Sequence, residues 1–548
     1  MKKRYLLDCT LRDGGYVNDW EFGHDNLVNI FERLTASGVD VIEIGFLDDR
    51  RSFDINRSIM PDTDCVERIY GRLDRRSAMI VGMIDYGTCD ISNVRPCSES
   101  YIDGIRVIFK KNKMRPAMEF CRQVKELGYK VFSQLVSVTS YSDEELLEVI
   151  GLANETEPYA LSMVDTYGLL NPVELKHIMS VIDANLKPGI VLGFHAHNNF
   201  QLGYINTTTA IDYDTERDVL VDGTLYGMGK SAGNAPLELV AMYMNEHYGK
   251  SYVITEMQEA ITTSVMDFQR KSPWGYQLFY YIAASNRVHP DYVSYLMNKR
   301  TLSITAINEI LRRIPDDQKL EKNMKLAEGL YMEYQKNECD DSEDIRRLSA
   351  EFKGRKILMI GPGASVGRCD DRIRKYIDEE SPVIISINYI NKLFHPDYMF
   401  ITNNTRFLQS AGRLHDDDNA DIRLIASSNL TRNDRDFDYV INYSSVIDEE
   451  AEFPDNSMCM LIRVLIKCGC KNTALAGFDG YTPDNVNYFD IDKAYSFLNE
   501  KAEALNVYAM RFFDEVKDKI KVTFITPSEY EAERQFKHKK NVSDQTDI

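Results

Sequence analysis

Tyr5-Leu6-Leu7-Asp8-Cys9-Thr10-Leu11-Arg12-Asp13-Gly14-Gly15 opens the chain with an apolar run that leads straight into an acid, an arginine, a second acid and two glycines. In an α/β protein this is a strand ending in a polar, tightly turning tip, which is where barrels and open sheets keep their chemistry. From there to residue 248 short apolar segments alternate with amphipathic ones. Strands are predicted at 5–8, 39–44, 78–84, 104–108, 130–135, 160–164, 190–195 and 218–221, and helices at 26–37, 115–127, 143–154, 172–185 and 201–211. Ser142 ahead of Asp143-Glu144-Glu145 is an N-cap followed by acids that suit the helix dipole, and Asn171-Pro172 puts proline at the first helical position. Eight strands in about 250 residues, each followed by a helix or a long loop, match a (β/α)8 TIM barrel. A doubly wound open sheet is the rival pattern.

At 548 residues the chain exceeds one ordinary domain. The barrel is assigned to 1–250, and a helical extension with linker to 251–350. That extension holds an aromatic cluster, Trp274 to Tyr281, read as packing, and an acidic stretch, Glu338 to Asp344, read as linker. A second α/β domain is predicted for 351–548, with strands at 356–360, 383–387, 398–401, 422–426, 439–441, 472–476 and 521–525. Its first strand runs into Gly361-Pro362-Gly363-Ala364-Ser365-Val366-Gly367. Backbone amides there, at Gly361, Gly363 and Ser365, could cradle the phosphate of a nucleotide; a tight glycine turn in a docking module is the alternative.

A formal net charge of −20 opposes binding to nucleic acid or to anionic membranes. No apolar run approaches the ~20 residues of a membrane span, and Tyr5-Leu6-Leu7 is too short for a signal segment. Ten cysteines are scattered without paired spacing; Cys468 and Cys470 read as buried small residues. A reduced, cytoplasmic protein is expected. The basic run at 536–540 reads as a solvated tail.

His195 and His197 end a predicted strand, where residues i and i+2 share a face. At a barrel mouth both imidazoles would converge, and a carboxylate with two imidazoles suits a divalent metal with open positions for substrate. The alternative is a pair of hydrogen-bonded histidines in a polar loop. Asp13, at the tip of the first strand, is the candidate third ligand, since a closed barrel gathers its strand tips around one mouth. Arg12 and Asp13 would point to opposite faces if the strand continued, so a turn at Gly14 and Gly15 is expected to bring both to the site. Glu43 on the second strand is positioned to hold Arg12, as a site partner or as a plain structural ion pair.

These residues resemble a known family. Asp8 to Gly15, Glu43-Ile44-Gly45-Phe46, Asp165-Thr166-Tyr167-Gly168, His195-Ala196-His197-Asn198 and the Gly227-Met228-Gly229-Lys230-Ser231-Ala232-Gly233-Asn234 loop are together similar to the metal-dependent barrel lyases and synthases. That family includes 4-hydroxy-2-oxovalerate aldolase, 3-hydroxy-3-methylglutaryl-CoA lyase and 2-isopropylmalate synthase, and the aldolase branch is the nearest likeness. The resemblance implies that Asp13, His195 and His197 ligate Mn²⁺ or Mg²⁺, that Asn234 belongs to the metal's surroundings, and that Arg12 faces the oxygen that becomes an enolate. It implies a 2-oxo acid and an aldehyde as partners, joined or cleaved through a pyruvate enolate, and a homo-oligomer. One departure stands out. Tyr16 occupies the position of the aldolase branch's histidine base, and an ordinary tyrosine with a pKa near ~10 is a poor base. His24 and Lys230 are candidates to replace it, with Lys230 also placed to meet substrate. A Claisen-type acyl-CoA reaction and a non-catalytic scaffold or sensor are the other readings. The second domain loosely resembles Rossmann-like domains of the pterin-diphosphokinase-like and sialyltransferase-like groups, which implies a nucleotide or nucleotide sugar as its ligand.

Overall fold

The computed structural model describes residues 2–299, 302–414, 416–430, 437–451, 453–481 and 502–531. The basic run at 536–540 lies outside them. Two compact units are present, Met1–Val293 with Lys319–Glu321, and Ser294–Gln318 with Lys322–Ile548. The stretch 251–350 is thus shared between the two.

The first unit contains β1 (Arg4–Asp8), β2 (Val41–Leu47), β3 (Ile59–Met60), β4 (Met79–Asp85), β5 (Gly104–Phe109), β6 (Lys130–Leu135), β7 (Ala160–Asp165), β8 (Val191–Ala196) and β9 (Val219–Gly223). The order is β1-β9-β8-β7-β6-β5-β4-β2, and β1 also pairs with β2 (Leu7 with Val41, Asp8 with Ile42), which closes an eight-stranded parallel barrel. That pairing excludes the open sheet. The two-residue β3 extends β2 beyond the ring through Phe46 and Leu47.

Strand periodicity then sorts the side chains into layers. Leu7, Val41, Val81, Phe132, Ala160, Val191 and Leu220 form one apolar cluster, each from a different strand, which plugs the barrel. Two residues further along, on the same inward face, stand Cys9, Glu43, Met83, Gln134, Ser162 and Asp222, with Arg106 beyond Gly104. The opposite face of each strand supplies Ile42, Ile80, Ile105, Val131, Leu161, Leu192 and Val219 to the larger core beneath the helices. Strands buried on both faces read as continuous apolar runs, which is why the sequence marks them so clearly. Ser142 and Asn171 both cap their helices in capping boxes, with Glu145 and Glu174 as the reciprocal partners.

The second unit carries β10 (Ile357–Ile360), β11 (Val383–Ile387), β12 (Tyr398–Ile401), β13 (Arg423–Ser427), β14 (Tyr439–Ile441), β15 (Asn472–Ala476) and β16 (Lys521–Phe524). They form an all-parallel sheet in the order β14-β13-β12-β11-β10-β15-β16. Strand order therefore reverses at β10, between β11 and β15. No helix among the described residues is long and apolar enough to cross a membrane.

Asp8 at the end of β1 is buried; its carboxylate accepts from the Thr10 amide at 3.0 Å and the Thr10 hydroxyl at 2.6 Å, and that hydroxyl accepts the Leu225 amide at 2.8 Å. Burial pushes the carboxyl up to about 7 despite those bonds. An unfolded aspartate releases its proton near ~4, so between that value and about 7 the folded barrel binds more protons, and its stability falls as pH rises. Asp8→Asn, which cannot titrate, should lose this slope. Melting temperatures of both proteins across that window should show the variant gaining on the parent as pH rises.

Candidate functional site

β1 ends at Asp8, and the chain turns immediately. The amides of Arg12 and Asp13 both return to the carbonyl of Cys9, at 3.2 and 2.8 Å. This helical turn, earlier than the expected one at the glycines, delivers both side chains to the barrel mouth. Gly14 and Gly15 follow in a short 3-10 turn, and neither has a positive φ. Gly15 is required for room: a Cβ there would lie 2.0 Å from Cδ1 of Trp20. The Trp20 indole N–H donates to the Arg12 carbonyl at 2.7 Å and so braces the same turn.

Around the mouth runs a closed circuit of buried side chains. The Arg12 guanidinium binds Asp13 through one nitrogen and, through Nε, Glu43 Oε2 at 2.8 Å. Arg106 donates to the same Glu43 oxygen at 2.9 Å and to Asp222 Oδ2 at 2.5 Å. Asp222 meets His195 Nδ1 at 2.9 Å, and His195 Nε2 returns to Asp13 Oδ2 at 3.6 Å. Burial alone would raise the Asp13 carboxyl, but Arg12, with His197 and His195 behind it, holds it well below the usual carboxylate range. Burial likewise pulls His195 down, yet its two carboxylate partners raise it above an ordinary histidine. His197 lacks such support and burial takes it to about 3.

Asp13, His195 and His197 each offer an atom to a common point, all within 4.8 Å of one another. On the residues around that point, buried His195 Nε2, His197 Nδ1 and Asn234 Oδ1 have no hydrogen-bond partner, and His197 Nε2 lies 4.0 Å from Asp13 Oδ2. Orphaned acceptors beside an ionised carboxylate are the donor set a divalent cation needs, so the residues fit a metal. A second trio, Cys9, His195 and Asp222, does not compete. His195 Nδ1 is already engaged by Asp222, and burial pushes the Cys9 thiol far up.

Asn234 reaches the site through the glycine-rich loop 227–234. Its amide nitrogen donates to Asp13 Oδ1 at 3.0 Å, and the Lys230 amide donates to the same oxygen at 3.1 Å. Gly229 permits this approach, since a Cβ there would fall 2.1 Å from the Asn234 amide nitrogen. Asn199 ties the loops together, donating to the Tyr167 carbonyl and accepting from the Ala232 amide, both at 3.0 Å. Asp165, by contrast, accepts the Leu169 and Leu170 amides and shapes its own loop.

Tyr16 stands at the mouth with 43% of its surface exposed; dehydration of its phenol, then the charge of Asp13, raises it to about 12. Lys230 Nζ lies 5.3 Å from the Tyr16 ring centre, and burial lowers its pKa. His24 opens the helix His24–Ser37, and among the described residues its backbone N–H is bound to Asn56. Sequence reading missed Arg106 and Asp222. Each is a lone charge in an apolar strand, Gly104-Ile105-Arg106-Val107-Ile108 and Leu220-Val221-Asp222, and that was the available signal.

In the second unit the amides and hydroxyl of the glycine loop are engaged by the chain itself. The Gly361 and Gly363 amides donate to the Ala476 and Gly477 carbonyls at 2.8 and 2.9 Å. The Ser365 amide and hydroxyl both bind the Asp479 carboxylate, the amide at 2.8 Å. An anion at this turn would have to displace Asp479.

Residues 3–266 match the HMGL-like family model. That match covers just under half of the chain and coincides with the barrel. A 4-hydroxy-2-oxovalerate aldolase of Shewanella halifaxensis is 26% identical over 271 residues, covering 48% of this chain and 78% of the relative. The 4-hydroxy-2-oxovalerate aldolase 2 of Salinispora arenicola is 27% identical over 240 residues, covering 44% and 68%. Among solved structures, an HMG-CoA lyase of Bacillus subtilis is 16% identical with a TM-score of 0.42, covering 50% of this chain and 95% of that one. The family and its curated relatives support a carbon–carbon lyase.

Arg106 is the hub of the barrel's charged circuit. Arg106→Met would strand Glu43 and Asp222 without their shared partner, and removing one member of such a buried network costs about 3–5 kcal/mol. Urea unfolding followed on the barrel transition should show that loss.

Proposed function

We propose that the barrel is a divalent-metal-dependent lyase of the aldolase type, which makes or breaks the bond between C3 of pyruvate, as its enolate, and the carbonyl carbon of an aldehyde. The observation that carries this reading is the convergence of Asp13, His195 and His197, with Asn234 bonded to Asp13, beside the guanidinium of Arg12. Mn²⁺ or Mg²⁺ would be held by those four residues. Bound there, it would act as a Lewis acid on the carbonyl of a 2-oxo acid.

Charge balance supports the same substrate. With both histidines neutral, Asp13, Glu43 and Asp222 outnumber Arg12 and Arg106 by one charge. A divalent ion and the Lys230 ammonium convert that deficit into a surplus of two positive charges, and the enolate of pyruvate carries two negative ones. Arg12, fixed by Glu43 and Asp13, presents positive charge where the enolate oxygen develops. In condensation, the C3 proton leaves to solvent to give the enolate, C3 attacks the aldehyde carbon, the carbonyl π pair moves onto oxygen, and that oxygen takes a proton. Tyr16 holds its proton up to about 12, so it serves as a donor to this oxygen and recovers the proton from water at its exposed side.

Hydrogen–deuterium exchange at the pyruvate methyl group, followed by mass spectrometry, tests the first half of this chemistry without any aldehyde. Exchange should require added Mn²⁺ or Mg²⁺, stop with EDTA, and fall more than ~100-fold in His197→Ala, beyond the loss expected for a merely supporting hydrogen bond. Exchange that persists after EDTA, or that neither metal elicits, would overturn the proposal.

A further inference from the structure

One wall of the mouth is aromatic. Tyr16, Trp20 and Phe46 meet edge to face, with centroids 4.7 Å apart for Tyr16–Trp20, 5.6 Å for Trp20–Phe46 and 6.4 Å for Tyr16–Phe46. Phe46, largely buried, packs with Ile59 and Met83 in a cluster separate from the main core, and Trp20 lies against it. This pad borders the reacting centre directly: the Arg12 guanidinium lies 6.0 Å from the Phe46 ring centre, and Lys230 Nζ covers Tyr16. Trp20 is held there at a backbone price, since its φ is 59°, a left-handed conformation unusual for a bulky residue. Its indole bond to Arg12 and its seat on Gly15 keep it in place.

The chemistry proposed above uses only the Tyr16 hydroxyl of this wall, and leaves the Trp20 and Phe46 rings without a role. That chemistry commits Arg12 and Lys230 to the enolate. The other cation at the wall, Arg51, 5.6 Å from the Trp20 ring centre, is paired with Asp19 at 3.0 Å, which leaves the second reactant to be recognised without a free charge partner. We infer that Tyr16, Trp20 and Phe46 form the acceptor subsite, and that it selects a neutral aldehyde with an aromatic or branched apolar substituent. The inference rests on the aldolase reading. Burying a ring against such a wall gives about tenfold or more in preference over a two-carbon aldehyde. The product is the corresponding 4-hydroxy-2-oxo acid, formed by the single carbon–carbon bond and proton transfer already described.

The test uses the full-length protein with Mn²⁺, pyruvate and three aldehydes: acetaldehyde, benzaldehyde and the anionic glyoxylate. Benzaldehyde should exceed both others in kcat/KM by at least about tenfold. Phe46→Ala should collapse the benzaldehyde-to-acetaldehyde ratio toward one, and Phe46→Leu, which keeps the space filled, should give an intermediate ratio. A ratio near one in the parent, or a preference for glyoxylate, overturns the subsite. Binding is read independently of turnover. The chain has two tryptophans, so Trp274→Phe leaves Trp20 as sole reporter, and benzyl alcohol should quench it saturably. Absence of pyruvate exchange would count against the aldolase reading, and the quenching result would then decide the subsite: saturation supports it, no change overturns it.

Discussion

The circuit Asp13–Arg12–Glu43–Arg106–Asp222–His195 is the interaction on which the rest of the barrel depends. Each of these charges, buried alone, would be costly by several kcal/mol, and each is tolerated because it has two neighbours of opposite sign or a histidine. The members come from the loop after β1 and from β2, β5, β8 and β9. With the sheet open between β1 and β2, Glu43 would sit on the far edge from Asp222. Barrel closure and site assembly are therefore one event.

Layering explains how so much charge survives inside a core. Below the circuit, the plug from Leu7 to Leu220 seals the barrel floor with apolar side chains. Above it, Asn199 and Asn234 stitch neighbouring loops to one another and to Asp13. Water is kept from the flanks and the floor, so the carboxylates act at low effective dielectric on the groups between them. The raised His195 and the depressed Asp13 are two readings of that same field: the point they share favours positive charge.

The strands were legible because parallel barrel strands are apolar on both faces, and observed ends fall within three residues of the expected ones. His195 and His197 were legible as a pair because two-residue spacing survives in any strand, and Arg12 with Glu43 because opposite charges flanked adjacent strands. Arg106 and Asp222 were not, since their meaning lies in each other, 116 residues apart on β5 and β9, which only closure brings together across the barrel. Gly15 was legible as a glycine of consequence but for the wrong reason. Turn freedom is local and readable, whereas the space taken by the Trp20 indole is tertiary. The same limit applies at Gly361 to Ser365, where the residue that closes the loop, Asp479, is over a hundred positions away.

Tyr16 joins the two unusual features of the mouth. A phenol held protonated to about 12 is not the free base that a histidine would supply there; its resting form serves the condensation direction as a proton donor. The same ring lies across Trp20 and reaches Phe46, extending what would otherwise be two aromatics into a continuous wall. Replacing the imidazole with a phenol thus changes proton chemistry and acceptor surface together. A smaller, basic side chain at position 16 would restore the first and break the second. The two properties cannot be tuned separately, and the shape of the acceptor is therefore linked to the way its oxygen is protonated.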